Sequence, residues 1–138
     1  MKSKIQSFFT ESDEVYKTTI KGHSYAEFQK FCEGTRYPII GYWDEDEKKF
    51  FIPGVLLLSM FRHVIKKIGE ENIKFPIKEL KVFEPSIGGM VENRVYLNET
   101  LEYRFGYLST YKNKKLYQVE IARLSTNEIV LQGYFQLQ

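Results

Sequence analysis

Cysteine and histidine are scarce in this chain. Among its 138 residues there are one cysteine, Cys32, and two histidines, His23 and His63. A single thiol can form neither an internal disulfide nor a cysteine-based metal site. The acidic run at residues 44–47 has no histidine beside it, which argues against a carboxylate–histidine metal site. We therefore expect no metal and no bound cofactor.

Long apolar runs and a strong net charge are also absent. No run of eighteen or more apolar residues occurs, so we expect no transmembrane helix and no membrane partner. The formal net charge is only +2, and the one dense basic cluster, Lys112, Lys114 and Lys115, falls in a predicted turn. Such a cluster is typical of a solvated loop, so we expect no nucleic-acid partner. The first residues, MKSKIQSFFTESDE, lack the apolar core of a signal peptide, which together with the single thiol predicts a cytoplasmic protein.

Hydrophobic residues, by contrast, are plentiful. They make up 43% of the chain, and 16% of all residues are aromatic. This composition and length suit one domain, residues 1–138, with a well-filled core and a high content of strands. We find no internal repeat, low-complexity tract or linker.

The first half of the chain carries strand signals followed by helix signals. Residues 15–22, VYKTTIKG, alternate and are rich in β-branched side chains, which predicts a strand. In the stretch HSYAEFQKFCEG, Ser24 and Glu27 have the spacing of a capping box, and Gly34 is a suitable end for a short helix. Residues 35–52 carry mixed signals and are predicted to form an irregular connection.

Residues 52–69, IPGVLLLSMFRHVIKKIG, predict a second and longer helix. Pro53 suits its first turn and Gly69 its end, which gives about sixteen residues and roughly 24 Å. Apolar side chains cover nearly the whole circumference of this helix. Such a helix has to be buried on more than one side, so the rest of the chain is expected to wrap it.

The second half of the chain supplies strands for this purpose. Turn signals at SIGG, KNKK and STNE separate four strand-like runs, IKELKVFEP, VENRVYLNETLEYRFGYLSTY, KLYQVEIARL and EIVLQGYFQLQ. Consecutive antiparallel pairing is the simplest arrangement of such runs. The predicted fold class is therefore α+β, with a curved antiparallel sheet around a central helix.

Three stretches of the chain resemble one fold family. PGVLLLSMF resembles the helix start of hot-dog proteins, KVFEPSIGGMV resembles their following strand and turn, and EGTRYPII is similar to the loop motif of the MaoC-like (R)-specific enoyl-thioester hydratases. The FabZ-type hydroxyacyl-ACP dehydratases are a more distant match. The resemblance implies a hot-dog fold, in which an antiparallel sheet wraps around one long hydrophobic helix. It also implies that two protomers pair, either as a homodimer or as a heterodimer with a second hot-dog chain.

The proton-transfer pair of the hydratases has no counterpart in this chain. Gly34 and Pro38 set the register between EGTRYPII and the hydratase loop. In this register the catalytic Asp of the family falls on Thr35, its Asn on Tyr37 and its catalytic His on Ile40. A threonine hydroxyl has no useful pKa near neutrality, and an isoleucine cannot exchange a proton.

The residues predicted to bind a thioester are easier to find in this sequence than residues that could transfer protons. At the predicted start of the long helix, the backbone N–H groups of Gly54 and Val55 have no partner within the helix and are placed to polarise a thioester carbonyl. Together with Thr35, Tyr37 and Ile40 of the loop they form the predicted substrate-binding set.

Three side chains are candidate catalytic residues: Glu45 and His63 as a relocated acid or base, and Ser59 as a hydrogen-bond partner of the substrate or of a bound water. In the FabZ-type register the catalytic His falls on Glu45 and the helix Glu on Ser59, and His63 lies one helical turn after Ser59 on the same face. Each candidate also has a structural explanation. Glu45 belongs to an acidic run typical of a solvated turn, Ser59 can bond to a carbonyl of its own helix, and His63 can bond to a backbone carbonyl or a dimer partner.

These features leave three hypotheses for the function. The first is a MaoC- or FabZ-like protein that binds a fatty-acyl or polyketide-type thioester, on CoA or on an acyl carrier protein, as a non-catalytic or partner-dependent dehydratase subunit. The second is an active dehydratase or thioesterase that uses relocated acid or base residues. The third is a structural or ligand-sensing dimer that binds no thioester.

Overall fold

The computed structural model describes residues 6–36, 38–52, 56, 60–75, 84–86 and 94–137 of the chain. In chain order its elements are β1 (Tyr16–Ile20), α1 (Tyr25–Thr35), a 3-10 turn (Ile39–Tyr42), β2 (Trp43–Asp44), β3 (Lys49–Phe50), α2 (Phe61–Glu71), β4 (Glu84–Ser86), β5 (Leu101–Tyr111), β6 (Lys114–Arg123) and β7 (Ile129–Leu137). Within these residues no helix is long and apolar enough to cross a membrane.

The main sheet of the described chain has five strands in the order β1-β5-β6-β7-β4. Every neighbouring pair is antiparallel, as predicted. The prediction of consecutive pairing is wrong for β4, which pairs with β7, while β5 pairs with β1 on that side. A tight turn joins β5 to β6, with Lys112 and Asn113 both at positive φ, 50° and 64°, which suits the twist of a two-residue hairpin. Asn127, at φ 63°, performs a similar role between β6 and β7. The sheet confirms the α+β class.

One face of the sheet carries the hydrophobic core. Because side chains alternate along a strand, Tyr103 and Phe105 of β5 share this face with Val119 and Ile121 of β6. All four are buried and belong to one hydrophobic cluster, to which α2 contributes Val64, Ile65 and Ile68. The helix therefore packs on what we call the inner face of the sheet, and the opposite side is the outer face.

Helix α1 begins as predicted and ends later than predicted. The hydroxyl of Ser24 accepts the backbone N–H of Glu27, and the Glu27 carboxylate accepts the backbone N–H of Ser24, so the capping box is confirmed. The prediction that Gly34 ends the helix is wrong, because Thr35 still belongs to it and Arg36 takes the left-handed conformation at φ 58°. The N–H of Arg36 closes the last turn on the carbonyl of Glu33.

Helix α2 differs from the predicted long helix in two respects. Its described part runs to Glu71 instead of stopping at Gly69, and its last turn closes where Asn72 N–H donates to the carbonyl of Ile68. A glycine inside the last turn weakens a helix without ending it when the neighbours are buried. The helix is also amphipathic here, because His63, Lys66 and Glu70 are exposed while Val64, Ile65 and Ile68 are buried. The predicted start around Pro53 lies outside the described residues.

Two further expectations about the strands need correction. Residues 35–52 contain a small hairpin, in which β2 and β3 pair antiparallel, and not only an irregular connection. The run predicted as one strand before KNKK is divided by a turn, because Asn98 is left-handed at φ 65° and Tyr96 and Glu99 bond to each other across it. Only residues 84–86 of the first predicted strand of this half are described, and they pair with β7.

Candidate functional site

The 3-10 turn between Ile39 and Tyr42 carries Ile40, which we predicted to correspond to the catalytic histidine of the hydratases. Gly41 N–H donates to the carbonyl of Pro38 at 2.9 Å, which closes the turn. The ring of Tyr42 packs edge-on against Phe28 of α1, with ring centroids 5.6 Å apart. The turn is thus fixed to α1 by its aromatic end, while the Ile40 side chain is 68% exposed. An apolar side chain that a fixed turn presents to solvent is available for contact with a ligand or another chain.

Thr35, which we predicted to correspond to the catalytic aspartate of the hydratases, is the last residue of α1. Its hydroxyl lies 3.1 Å from the carbonyl oxygen of Phe31 and 3.3 Å from that of Cys32, so it donates back into its own helix. A hydroxyl bonded in this way satisfies the free carbonyls at a helix end and does not act as an acid or base near neutral pH. Tyr37, the third loop residue of the predicted set, lies outside the described residues.

A shallow groove of about 320 Å³ runs beside this loop. It is lined by Tyr25, Gln29, Cys32, Glu33, Arg36, Pro38 and Ile39. Cys32 lies at its buried side, and burial raises the pKa of the thiol. The thiol therefore stays protonated near neutral pH, and we assign it no nucleophilic role.

Two of the three candidate catalytic residues, Glu45 and His63, lie in different elements of the described chain. Glu45 is in the turn of the β2–β3 hairpin, exposed and paired with Lys48 at 3.0 Å. His63 is on the exposed side of α2. Ser59 and the two predicted amide donors, Gly54 and Val55, lie outside the described residues, so the set as a whole stays a prediction.

Asp44, and not its neighbour Glu45, is the acid of the 44–47 run that turns inward. Asp44 is only 6% exposed. Its carboxylate accepts the Tyr96 hydroxyl at 2.8 Å and pairs with the Arg94 guanidinium at 3.1 Å. The other carboxylate oxygen accepts the backbone N–H groups of residues 46 and 47 at 3.0 and 3.1 Å. Sequence reasoning missed this role, although an aspartate at the start of a tight turn commonly accepts the N–H groups two and three residues later.

The hydrogen bond between Asp44 and Tyr96 lowers the pKa of the carboxyl group and, with burial, raises the pKa of the phenol. The hydrogen bond from Tyr96, with further hydrogen bonds from backbone N–H groups and Arg94, lowers the pKa of Asp44 to about 2. Burial and the neighbouring Asp44 carboxylate raise the pKa of Tyr96 to about 12. Both groups therefore keep one protonation state across the neutral range, which suits a structural clamp between the hairpin and the 94–97 segment and does not suit proton transfer.

This clamp predicts a specific loss of stability in acid. Because the pKa of Asp44 in the folded chain, about 2, is below the ordinary value of 3.8, its contribution is complete above 3.8 and disappears as the pH falls toward 2. We expect Asp44→Asn to lower the free energy of unfolding near neutral pH and to match the wild type near pH 2. Urea unfolding of both proteins across this acid range measures the difference. A difference that does not change with pH would contradict the assigned role.

Metal ligands are not gathered anywhere in the described part of the chain. No group of three or more His, Cys, Asp or Glu side chains lies close enough together there to hold a metal ion.

Comparison with known proteins identifies the architecture through structure alone. No protein-family model and no curated protein matches the sequence. The (R)-hydratase from A. caviae involved in PHA biosynthesis superposes with a TM-score of 0.64 at 12% identity, over 96% of this chain and 98% of that chain. The HadBC complex, a (3R)-hydroxyacyl-ACP dehydratase from Mycobacterium tuberculosis, gives 0.63 at 10% identity, over 91% and 96%. A single-residue mutant of the fluoroacetyl-CoA thioesterase FlK, in complex with fluoro-acetate, gives 0.58 at 5% identity, over 92% and 86%.

These superpositions cover nearly the whole described architecture, with a helix on the inner face of an antiparallel sheet. At such low identities they establish the fold, and the reaction has to be argued from the site. The chain adopts the hot-dog fold, as its resemblance to the MaoC-like hydratases predicted.

Proposed function

We propose that this protein binds an acyl thioester, carried by CoA or by an acyl carrier protein, as a non-catalytic or partner-dependent subunit of the dehydratase type. The names of three structurally similar proteins support the substrate class. One is an (R)-hydratase, one is a hydroxyacyl-ACP dehydratase and one is a fluoroacetyl-CoA thioesterase. A fold shared with these proteins raises the expectation of a thioester ligand and leaves the chemistry to the residues present.

The residues at Thr35 and Ile40 carry the non-catalytic part of the proposal. Hydration of an enoyl thioester needs one group to deprotonate water and one to protonate the carbon chain. The Thr35 hydroxyl is engaged with the carbonyls of Phe31 and Cys32, and Ile40 has no proton to exchange. The two positions at which the hydratase family places its acid and base therefore lack both.

Exposure of Ile40 supports a second chain at this place. An isoleucine that is 68% exposed on a turn held by Tyr42 offers an apolar contact for a partner or for an acyl chain. One similar structure, HadBC, is by its name a complex. We infer a partner of the same fold that supplies the proton-transfer pair, while this chain contributes the turn at 39–42 and the predicted amide donors Gly54 and Val55 to a shared thioester site.

A thioester assay tests this proposal directly. Crotonyl-CoA is added to the purified chain, and the ultraviolet absorbance of the conjugated thioester reports any hydration. Binding of crotonyl-CoA is measured in parallel by calorimetry, with free CoA as the matched control ligand. We expect no loss of absorbance and a tighter interaction with crotonyl-CoA than with CoA.

The other outcomes are equally informative. Turnover that Glu45→Gln or His63→Ala abolishes would replace the non-catalytic proposal with an enzyme that uses a relocated acid or base. Turnover that survives both substitutions would also contradict it. If crotonyl-CoA and a crotonyl-loaded carrier protein both fail to bind, the thioester proposal is wrong and a structural or sensing role is favoured.

A further inference from the structure

The outer face of the sheet carries a row of three polar side chains on neighbouring strands. Arg104 of β5, Glu120 of β6 and Gln132 of β7 are cross-strand neighbours in the register. They alternate with the core residues of the inner face, so all three lie on the outer side. Glu120 is nevertheless completely buried. Something other than the core has to cover it.

An arm formed by residues 6–13 provides this cover. The Glu120 carboxylate accepts the Ser7 hydroxyl at 2.6 Å and the backbone N–H of Phe8 at 2.8 Å. Arg104 donates to the same carboxylate at 2.8 Å, and Gln132 donates to it at 3.1 Å. Gln132 also donates to the backbone carbonyl of residue 6 at 2.8 Å. The Glu120 carboxylate thus accepts two hydrogen bonds from the arm and two from side chains of the sheet, which fix its orientation.

Two aromatic rings complete the attachment of the arm. The Phe9 ring occupies the space above Gly106, where an added Cβ would lie only 2.3 Å from its Cε1 atom. The Phe8 ring contacts Tyr134, with centroids 5.5 Å apart. A glycine on the outer face of β5 therefore makes room for one particular ring of the arm, and any side chain there would displace it.

The arm is structurally separate from the core. Among the described residues, none of the arm belongs to the hydrophobic cluster. The arm is closed on itself by a turn, in which Asp13 N–H donates to the carbonyl of Thr10 and Thr10 N–H donates to the Asp13 carboxylate at 2.7 Å. Between the arm and the sheet lies a groove of about 690 Å³, to which the arm contributes Glu11 and Asp13 and the sheet contributes Lys17 and Arg104.

We propose that the arm, which we call the strap, detaches from the outer face as a unit. In the docked state the Glu120 carboxylate, which we call the latch, accepts the hydrogen bonds of the strap. The fit of the Phe9 ring against Gly106 decides between the docked and the detached state. Detachment costs the hydrogen bonds and ring contacts of residues 6–9, while Arg104 and Gln132 remain to pair with Glu120 and water replaces the lost donors. The core is unchanged by this motion, so opening of the strap requires far less free energy than global unfolding. Opening removes one wall of the groove and exposes Glu120 to solvent.

Hydrogen exchange of the full-length chain tests the strap. We compare the wild type with Gly106→Ala, whose new methyl group displaces Phe9, and with Gly133→Ala on β7, where an added Cβ meets nothing within 4 Å. In Gly106→Ala we expect the Phe8 amide to exchange at least about tenfold faster, with unchanged protection of β6 and β7. Gly133→Ala is expected to behave as the wild type in both regions. Glu120→Gln, which removes the charge of the latch and keeps its size, is expected to accelerate exchange of the same amide.

Three results would overturn the proposal. An unprotected Phe8 amide in the wild type would mean that the strap is not docked in solution. Full protection of this amide in Gly106→Ala would mean that the gap does not control docking. Parallel loss of protection in the arm and in β6 of Gly106→Ala would mean that the arm unfolds together with the core. Gly106 is not a member of the hydrophobic cluster, so this variant can be interpreted even if Glu120→Gln does not fold.

Discussion

We expect Phe28→Ala to lower the free energy of unfolding by about 3–5 kcal/mol, the range typical for a fully buried phenylalanine. Phe28 is completely buried on the inner side of α1. Its ring lies against two others, with centroids 5.6 Å from Tyr42 and 5.7 Å from Phe50. Truncation leaves a cavity where α1, the 3-10 turn and the hairpin meet, and these elements cannot all move to fill it.

Chemical denaturation measures this loss, with fluorescence of Trp43 as the probe. Trp43 is the only tryptophan, and its ring packs 4.8 Å from that of Phe50, so its emission reports on the same cluster. Lys30→Ala is the control on the same helix, because Lys30 belongs to α1 and is exposed. We expect the control to cost less than about 1 kcal/mol. Equal costs for the two variants would show that the cluster is not the tightly packed unit described.

The second large effect is expected for Gly22→Ala, at about 2–3 kcal/mol of lost unfolding free energy. A Cβ at residue 22 would lie 2.3 Å from the carbonyl oxygen of Glu99 and 2.5 Å from the carbonyl carbon of Asn98. These are backbone atoms of a turn that is already held in place by the hydrogen bond from Asn98 N–H to the carbonyl of His23, at 2.9 Å. The turn has to shift, and the start of β5 shifts with it.

A glycine in an open position provides the control for Gly22→Ala. An added Cβ at Gly34 meets nothing within 4 Å. Since Gly34 lies inside α1, Gly34→Ala is expected to raise the free energy of unfolding by about 0.5–1 kcal/mol through helix propensity. Opposite signs for the two substitutions are the expected result of urea titrations. A destabilised Gly34→Ala would mean that this end of α1 contacts something in solution.

The Phe28 prediction concerns the scaffold of the candidate site. Phe28 holds the turn that carries Ile40 against α1, and Thr35 ends the same helix. A loss of packing there would therefore be expected to weaken thioester binding together with stability. The Asp44 clamp stabilises the hairpin that follows this turn, because it joins the hairpin to the 94–97 segment.

Local sequence signals predicted the elements whose partners are close in the chain. The Ser24–Glu27 capping box and the hairpin of two strands around KNKK depend on neighbouring residues, and the structure has both, although the first of these strands begins later than predicted. The ends of the helices were less predictable. Gly34 and Gly69 suggested helix ends, but the helices continue past them, to Thr35 and to Glu71.

The polar interior was not predictable from patterns at all. Glu45 and Asp44 are adjacent acids in the same run, yet only Asp44 faces Tyr96, which lies 52 residues away. The sequence pattern predicts Glu120 to be an exposed polar residue of an alternating strand. It is buried because the arm covers it, with Ser7, 113 residues away, donating to its carboxylate. Neither contact has a local signature, because both depend on which surfaces the fold brings together.

By itself the sequence determined the fold class and the order of most elements, because these follow from side-chain periodicity and local capping. The resemblance to the hydratases adds the prediction that Thr35 and Ile40 stand in place of their acid and base. Only the tertiary structure decided that the Ile40 side chain is exposed on a fixed turn, that Asp44 joins the hairpin to Tyr96, and that residues 6–13 lie across the outer face. The physical reason is that burial and charge pairing are properties of residues distant in sequence, and they exist only once the sheet is assembled around the helix.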